Sequence, residues 1–157
     1  MYRTILVGTD GSDTAREAVR TAGELARLHH ADLHVVTAYD PHLSWRDREA
    51  MDEFPEEVRW LASPGQAAES IATQAAEAVP GTDRAVQVWA EPGPARDVLV
   101  RLAGRIDADL VVVGNRGMSG MRRLLGSVPS GVSQSAPCDV LIVDTVGRRA
   151  ATEAKSA

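Results

Sequence analysis

One lysine, Lys155, and one cysteine, Cys138, are all that 157 residues contain of either type. A single cysteine rules out an internal disulfide, and its place at the head of an apolar run reads as a small packed hydrophobe rather than a nucleophile. The scarcity of lysine has a sharper consequence. No G-x-x-x-x-G-K-[ST] segment exists, so the lysine that a P-loop enzyme sets on the terminal phosphates is missing. Long apolar runs are missing too. The opening MYRTILVGTD turns polar after a few residues, too brief for a signal segment or a membrane span, and points to a cytoplasmic chain with no membrane partner. His29, His30, His34 and His42 show no H-E-x-x-H spacing, and no Ser-His-Asp or Cys-His arrangement can be assembled from them. No catalytic residue and no metal ligand is therefore assigned.

What is present suits one domain. A hydrophobic content of 44% over this length can bury a core without staples. The formal charge of −5 argues against a general nucleic-acid binder, which normally shows a broad basic face. Basic charge is instead concentrated: Arg116, Arg122 and Arg123 fall in a stretch from Leu110 to Cys138 that holds no Asp or Glu. That local excess would steer an anion.

The pattern along the chain alternates strand and helix. Thr4–Gly8 is a β-branched and aliphatic run closed by Thr9-Asp10-Gly11-Ser12, a turn and helix-cap cluster. Ala15, Ala18, Val19, Ala22, Leu25 and Ala26 then recur at helical spacing to about His30. Leu33–Tyr39 is a second strand stopped by Asp40-Pro41. From His42 to Leu61 the pattern dissolves into charge and scattered aromatics, including Trp45, Phe54 and Trp60, an excursion with some helical turn. Ser63-Pro64-Gly65-Gln66 reads as a capping box with proline at the first helical position, opening an alanine-rich helix to Val79 that Pro80-Gly81 ends. Ala85–Ala90 alternates as a strand, and Gly93-Pro94 starts a helix whose apolar face is Ala95, Val98, Leu99 and Leu102. Leu110–Val113 and Val140–Val143 are the fourth and fifth strands, with a short helix from near Ser127 between them. Such alternation demands right-handed parallel crossovers, giving an α/β fold with an open, doubly wound, Rossmann-like parallel sheet of five strands. The tail beyond Val146 has little to bury and reads as flexible.

The run VVVGNRGMSGMRRLLGSV, Val111 to Val128, carries most of the functional information. Gly114 and Gly117 leave no side chain to block an approaching phosphate, and Gly126-Ser127 sits where a helix N-terminus presents unpaired N–H groups. The bland account is a tight turn and a helix boundary, with Asp10 and Ser12 capping the first helix, Ser127 capping the last, and Arg122 and Arg123 simply solvated. Trp45 and Trp60 are core or interface fillers, or border the pocket or a partner surface.

The segments ILVGTDGSDTAREAV, LHVVTAYDP, DLVVVGNRG and LLGSVPSGVSQSAPCDVLIVDT, in that order and spacing, resemble the universal stress protein family from Tyr2 to about Thr145. The resemblance implies the strand order 3-2-1-4-5, a domain over residues 1–146, a homodimer joined through the last strand and, for one branch, binding of ATP or a related adenine nucleotide. That branch has two glycines separated by two residues, then nine residues, then Gly followed by Ser or Thr. Here only eight residues, Met118 to Leu125, separate Gly117 from Gly126, which bears on the reach to the phosphates.

Carried over, the resemblance places Thr9 and Asp10 beside the nucleotide, Asp10 near the ribose or a phosphate-bound magnesium. Ala38 would offer backbone groups to the adenine edge and Val113 would wall the base. Gly114, Arg116 and Gly117 would line ribose and phosphates, with Gly126, Ser127, Val128 and Pro129 capping the phosphate chain. Pro129 has no N–H to give there. Some members bind cyclic AMP instead, so ATP and cyclic AMP stand as alternative ligands. The implied function is a dimeric nucleotide-binding stress or regulatory protein. The alternatives are a nucleotide-independent interaction protein, or an enzyme with slow ATP hydrolysis.

Overall fold

Each apolar run near the start of the chain becomes a strand, because β-branched residues covered on both sides by helices lose little by being extended and gain burial on both faces. The computed structural model describes residues 1–42, 63–81, 84–115 and 127–145. Within them lie β1 (Thr4–Gly8), α1 (Asp13–His29), β2 (Asp32–Tyr39), α2 (Pro64–Glu77), β3 (Val86–Pro92), α3 (Ala95–Arg105), β4 (Leu110–Gly114), α4 (Ser127–Ser135) and β5 (Asp139–Val143). The five strands pair in the order β3-β2-β1-β4-β5, every pair parallel. Residues 43–62, which hold all but the first residue of the His42–Leu61 excursion, lie outside the described residues, as do the tail from 146 onward and the glycine-rich stretch 116–126.

Alternation along the strands divides the core in two. Ile5, Val7, Leu33, Val35, Leu110 and Val112 face α1 and α2, which contribute Ala18, Ala22, Ala26, Ala72 and Ala75. Leu6, Val36, Val111 and Val113 face α3 and α4, which contribute Val98, Leu99, Leu102 and Val132. Small residues on α1 and α2 let those helices lie close to the sheet. The expected apolar face of α3 needs one correction: Ala95 is exposed, while Ala103 is buried in its stead. Among the described residues the Ala95 side chain, at the very start of α3, stays exposed rather than packing on the sheet.

The caps follow the chemistry of their residues. Ser12 Oγ accepts from Ala15 N at 3.2 Å to start α1, and Ser63 Oγ accepts from Gln66 N at 3.3 Å to start α2, with Pro64 at its first position. Gly11, at φ +78, makes the turn between β1 and α1 in a conformation other side chains rarely adopt.

One side-chain clasp ties the exit of β4 to the exit of β5. Asn115 N donates to Val143 O at 2.9 Å, and Asn115 Nδ2 donates to Asp144 Oδ1 at 2.9 Å. Asn115 Oδ1 in turn accepts from Thr145 N at 3.2 Å and Thr145 Oγ1 at 2.7 Å, and Thr145 is only 4% exposed. A second contact secures the other half of the sheet. Trp89 Nε1 donates to His34 Nδ1 at 3.0 Å with the rings stacked, and the Arg105 guanidinium lies over the indole at 5.0 Å. Arg105 and Arg101 both pair with Glu91, and with Arg105 as the main cause its carboxyl is held below the usual range.

Two outcomes follow. Asn115→Ala leaves the buried Thr145 hydroxyl and amide without their acceptor and should lower stability by about 1–3 kcal/mol, read from urea midpoints. An unchanged midpoint would show that the clasp carries no load. His34 is 6% exposed and its pKa is lowered by burial, so its Nδ1 must stay unprotonated to accept from Trp89. The unfolded chain takes up this proton more readily. Stability from His34 is thus complete above its unfolded pKa of about 6.5 and lost as pH falls below it. Comparing urea midpoints at roughly pH 7.5 and 5.5, where most carboxylates remain ionised, should show a loss that His34→Asn largely abolishes. An equal loss in both proteins would place the acid sensitivity elsewhere.

Candidate functional site

The order β3-β2-β1-β4-β5 puts the reversal of winding between β1 and β4, and crevices at the carboxyl ends of such strands are where ligands sit in this class of sheet. Of β2, β1 and β4, β1 ends first at this rim. Its last pairing with β2 is Gly8↔Val36 and with β4 is Val7↔Val112, while β2 runs on to Tyr39 and β4 to Gly114. Beyond Gly8 the chain leaves the sheet through Thr9 and Asp10. A notch therefore opens above Gly8, flanked by Ala38 and Tyr39 on one side and by Val113 and Gly114 on the other.

The walls of the notch are set by hydrogen-bond parity. Val36 directs its carbonyl to β1, accepting from Thr9 N at 2.9 Å, whereas Tyr39 directs its carbonyl to β3, accepting from Gly93 N at 2.8 Å. Two residues on from Val36, Ala38 must direct both its N–H and its C=O toward the β1 side. There β1 has already ended, and among the described residues neither group has a partner. An extended segment with a free donor and a free acceptor side by side is suited to the edge of a planar heterocycle. The Ala38 and Val113 side chains pack with the α3 and α4 side of the core, so the notch opens toward those two helices.

Most of the expected site residues that are described gather here. Thr9 is buried, its Oγ1 accepting from Gly11 N at 3.2 Å, and Asp10 Oδ1 accepts from Ser12 N at 3.0 Å. Both shape the turn into α1, the capping role foreseen from residue type alone. Val113 is buried, Ala38 and Gly114 are half-buried, and α4 begins at Ser127 with Val128 packed on the core and Pro129 buried. Arg116, Gly117, Gly126, Arg122 and Arg123 lie outside the described residues. Three features were not anticipated. Leu99 of α3 lies over Gly8, close enough that a Cβ there would meet its Cδ2 at 3.2 Å and close the floor. Asn115 clasps Asp144 and Thr145 directly behind Gly114. Arg96, in the first turn of α3, lies across Gly131 of α4. None has a local signature, since each depends on contacts between distant elements; the glycines opposite Leu99 and Arg96 are the only trace.

Other chemistry is sparse. Cys138 packs against the core and its thiol is pushed up chiefly by burial, the opposite of an activated nucleophile. Among the described residues no group of three or more His, Cys, Asp or Glu is gathered to hold a metal, and no helix is long and apolar enough to cross a membrane. At the opposite pole an open crevice of about 440 Å³ is lined by Arg3, Thr4, His30, Asp32, Arg84 and Asp107, none of which was expected in the site.

Comparison with known proteins agrees with this architecture. The family model described as the Universal stress protein family matches residues 1–144. A universal stress protein of Mycobacterium tuberculosis is 39% identical over 145 residues, covering 92% of this chain and 97% of the relative. Another, from Thermus aquaticus, is 36% identical over 144 residues, covering 91% and 99%. A crystal structure of a universal stress protein in complex with cAMP is 39% identical with a TM-score of 0.63, covering 92% of this chain and 98% of that one. A universal stress protein from Lactobacillus plantarum, 24% identical, shares the fold with a TM-score of 0.72 over 91% of this chain and 98% of its own. Matched along nearly its whole described length, the chain belongs to the universal stress protein family.

Proposed function

We propose that this chain binds an adenine nucleotide in the notch above Gly8, ATP foremost with cyclic AMP as the alternative ligand, and works as a homodimeric stress-response regulator in the cytoplasm rather than as an enzyme. The observation that carries the reading is the unpaired N–H and C=O of Ala38, a donor and acceptor aimed into the notch at a height where β1 has no more chain to offer. The 39% identical relative solved with cAMP supports an adenine ligand at this grade of similarity. In this reading the base lies between Ala38 and Val113 and the ribose near Thr9 and Asp10. The phosphates run along Gly114, Arg116 and Gly117 toward Gly126, Ser127, Val128 and Pro129, where the N-terminus of α4 favours negative charge. Magnesium enters only as a counter-ion of the phosphates, with Asp10 the carboxylate offered to it.

The homodimer reading rests on β5. This strand ends the sheet order, so among the described residues one of its backbone edges has no neighbour, and Ile142 on it is 45% exposed. An edge strand carrying exposed apolar surface is suited to a cover, and a second copy supplies one. The same exposed edge favours the second reading, a dimeric interaction protein indifferent to nucleotide.

Calorimetric titration with ATP, ADP, AMP and cyclic AMP separates the two. The nucleotide reading expects at least one of them to bind more tightly than about 1 mM, roughly −4 kcal/mol. It also expects a higher midpoint of thermal unfolding in its presence. No binding, together with an unmoved midpoint, would leave the interaction protein. Gly117→Asp, which sets a carboxylate where phosphate is expected, should weaken ATP at least tenfold; wild-type affinity in that variant would put the phosphates elsewhere.

A further inference from the structure

We infer that Arg96 is a phosphate-contacting residue that lets this site favour phosphorylated adenine nucleotides over adenosine, an inference that rests on the nucleotide reading above. Arg96 is the second residue of α3, in its first turn, at the same end of the sheet as the notch. Its side chain does not point along its own helix. A Cβ built on Gly131 would stand 2.5 Å from Arg96 Cδ, 3.1 Å from Cγ and 3.2 Å from Nε, so the stem lies directly on the backbone of α4, one turn in from Ser127. The arginine thus bridges the two helices toward which the notch opens.

Its charge is poorly accommodated by the protein itself. The first turn of a helix is the positive end of its dipole, where an anion is stabilising and a cation is not. Pro94 provides no side-chain cap for α3, and among the described residues Arg96 pairs only with adjacent Asp97, at 3.6 Å with both side chains more than half exposed. Such an exposed pair contributes little. Arginine presents a planar fork of N–H donors matched to phosphate oxygens, and a rigid aliphatic path over a glycine costs it little entropy to hold. A bound phosphate between the start of α4 and Arg96 would supply a better-shaped counter-charge than Asp97 does. Adenosine would not.

The test compares ATP, AMP and adenosine on wild type, Arg96→Ala and Gly131→Ala, with circular dichroism and thermal midpoints to confirm folding. Arg96→Ala should weaken ATP about five- to twentyfold, leave adenosine within twofold, and flatten the fall of ATP affinity with salt. Gly131→Ala, which pushes the arginine off α4, should reproduce that selective loss, and adding it to Arg96→Ala should cost nothing more. Arg96→Lys should retain part of the affinity, a charge without the fork. Unaltered ATP binding in Arg96→Ala, or an equal loss for ATP and adenosine, would overturn the role of Arg96 while leaving the nucleotide reading in place. Failure of wild type to bind any of the three, with ADP and cyclic AMP also unbound, would remove that reading, and with it the role of Arg96.

Discussion

The site depends on the early end of β1. In a parallel sheet each residue sends its N–H and C=O to the same neighbouring strand, so a central strand that stops short leaves those groups exposed on the strands that continue. Here β1 gives up its pairing at Gly8, and Thr9-Asp10-Gly11 carries the chain off into α1. Ala38 is left facing a gap with a donor and an acceptor unspent. Ala38 is half-buried, and in the proposed reading a ligand's edge takes up this donor and acceptor at the winding reversal. The turn chemistry that creates it is local: Gly11 at positive φ, Thr9 and Asp10 accepting from the amides that follow, and Ser12 capping the helix.

Everything around the notch serves to hold its rims in register. The Asn115 clasp fixes the root of the glycine-rich segment against the end of β5, so the segment's departure point is tied to the sheet edge that a partner copy would cover. Leu99 seals the floor by lying on Gly8, and Arg96 lies over Gly131 where the two helices meet. Glycine recurs at these contacts because a side chain from another element occupies the place its own Cβ would need. On the far half, His34 and Trp89 lock β2 to β3 with a bond that exists only while the imidazole is neutral.

Strands and helices were legible because their signals are local. Apolar runs such as Thr4–Gly8 and Leu110–Val113, the serine caps and the proline at the start of α2 each report on their own backbone, while the strand order came through the family resemblance. The turn at Thr9 and Asp10 and the flank at Ala38 and Val113 were legible through family resemblance, not through periodicity. Ala95 misled because helical spacing cannot say where along a helix burial begins. Asn115, Leu99 and Arg96 were invisible for a different reason: their partners at Thr145, Gly8 and Gly131 lie 30, 91 and 35 positions away, and only the folded sheet brings them together.

Backbone amide chemical shifts, followed by NMR as ATP is added, test the central claim most directly. If the notch left by β1 is the ligand site, the large changes cluster at Thr9–Ser12, Ala38, Val113–Asn115 and Val128, and the Ala38 amide moves downfield as it gains an acceptor. Changes centred instead on Arg3, His30 and Arg84 at the opposite pole, with Ala38 still, would contradict the account.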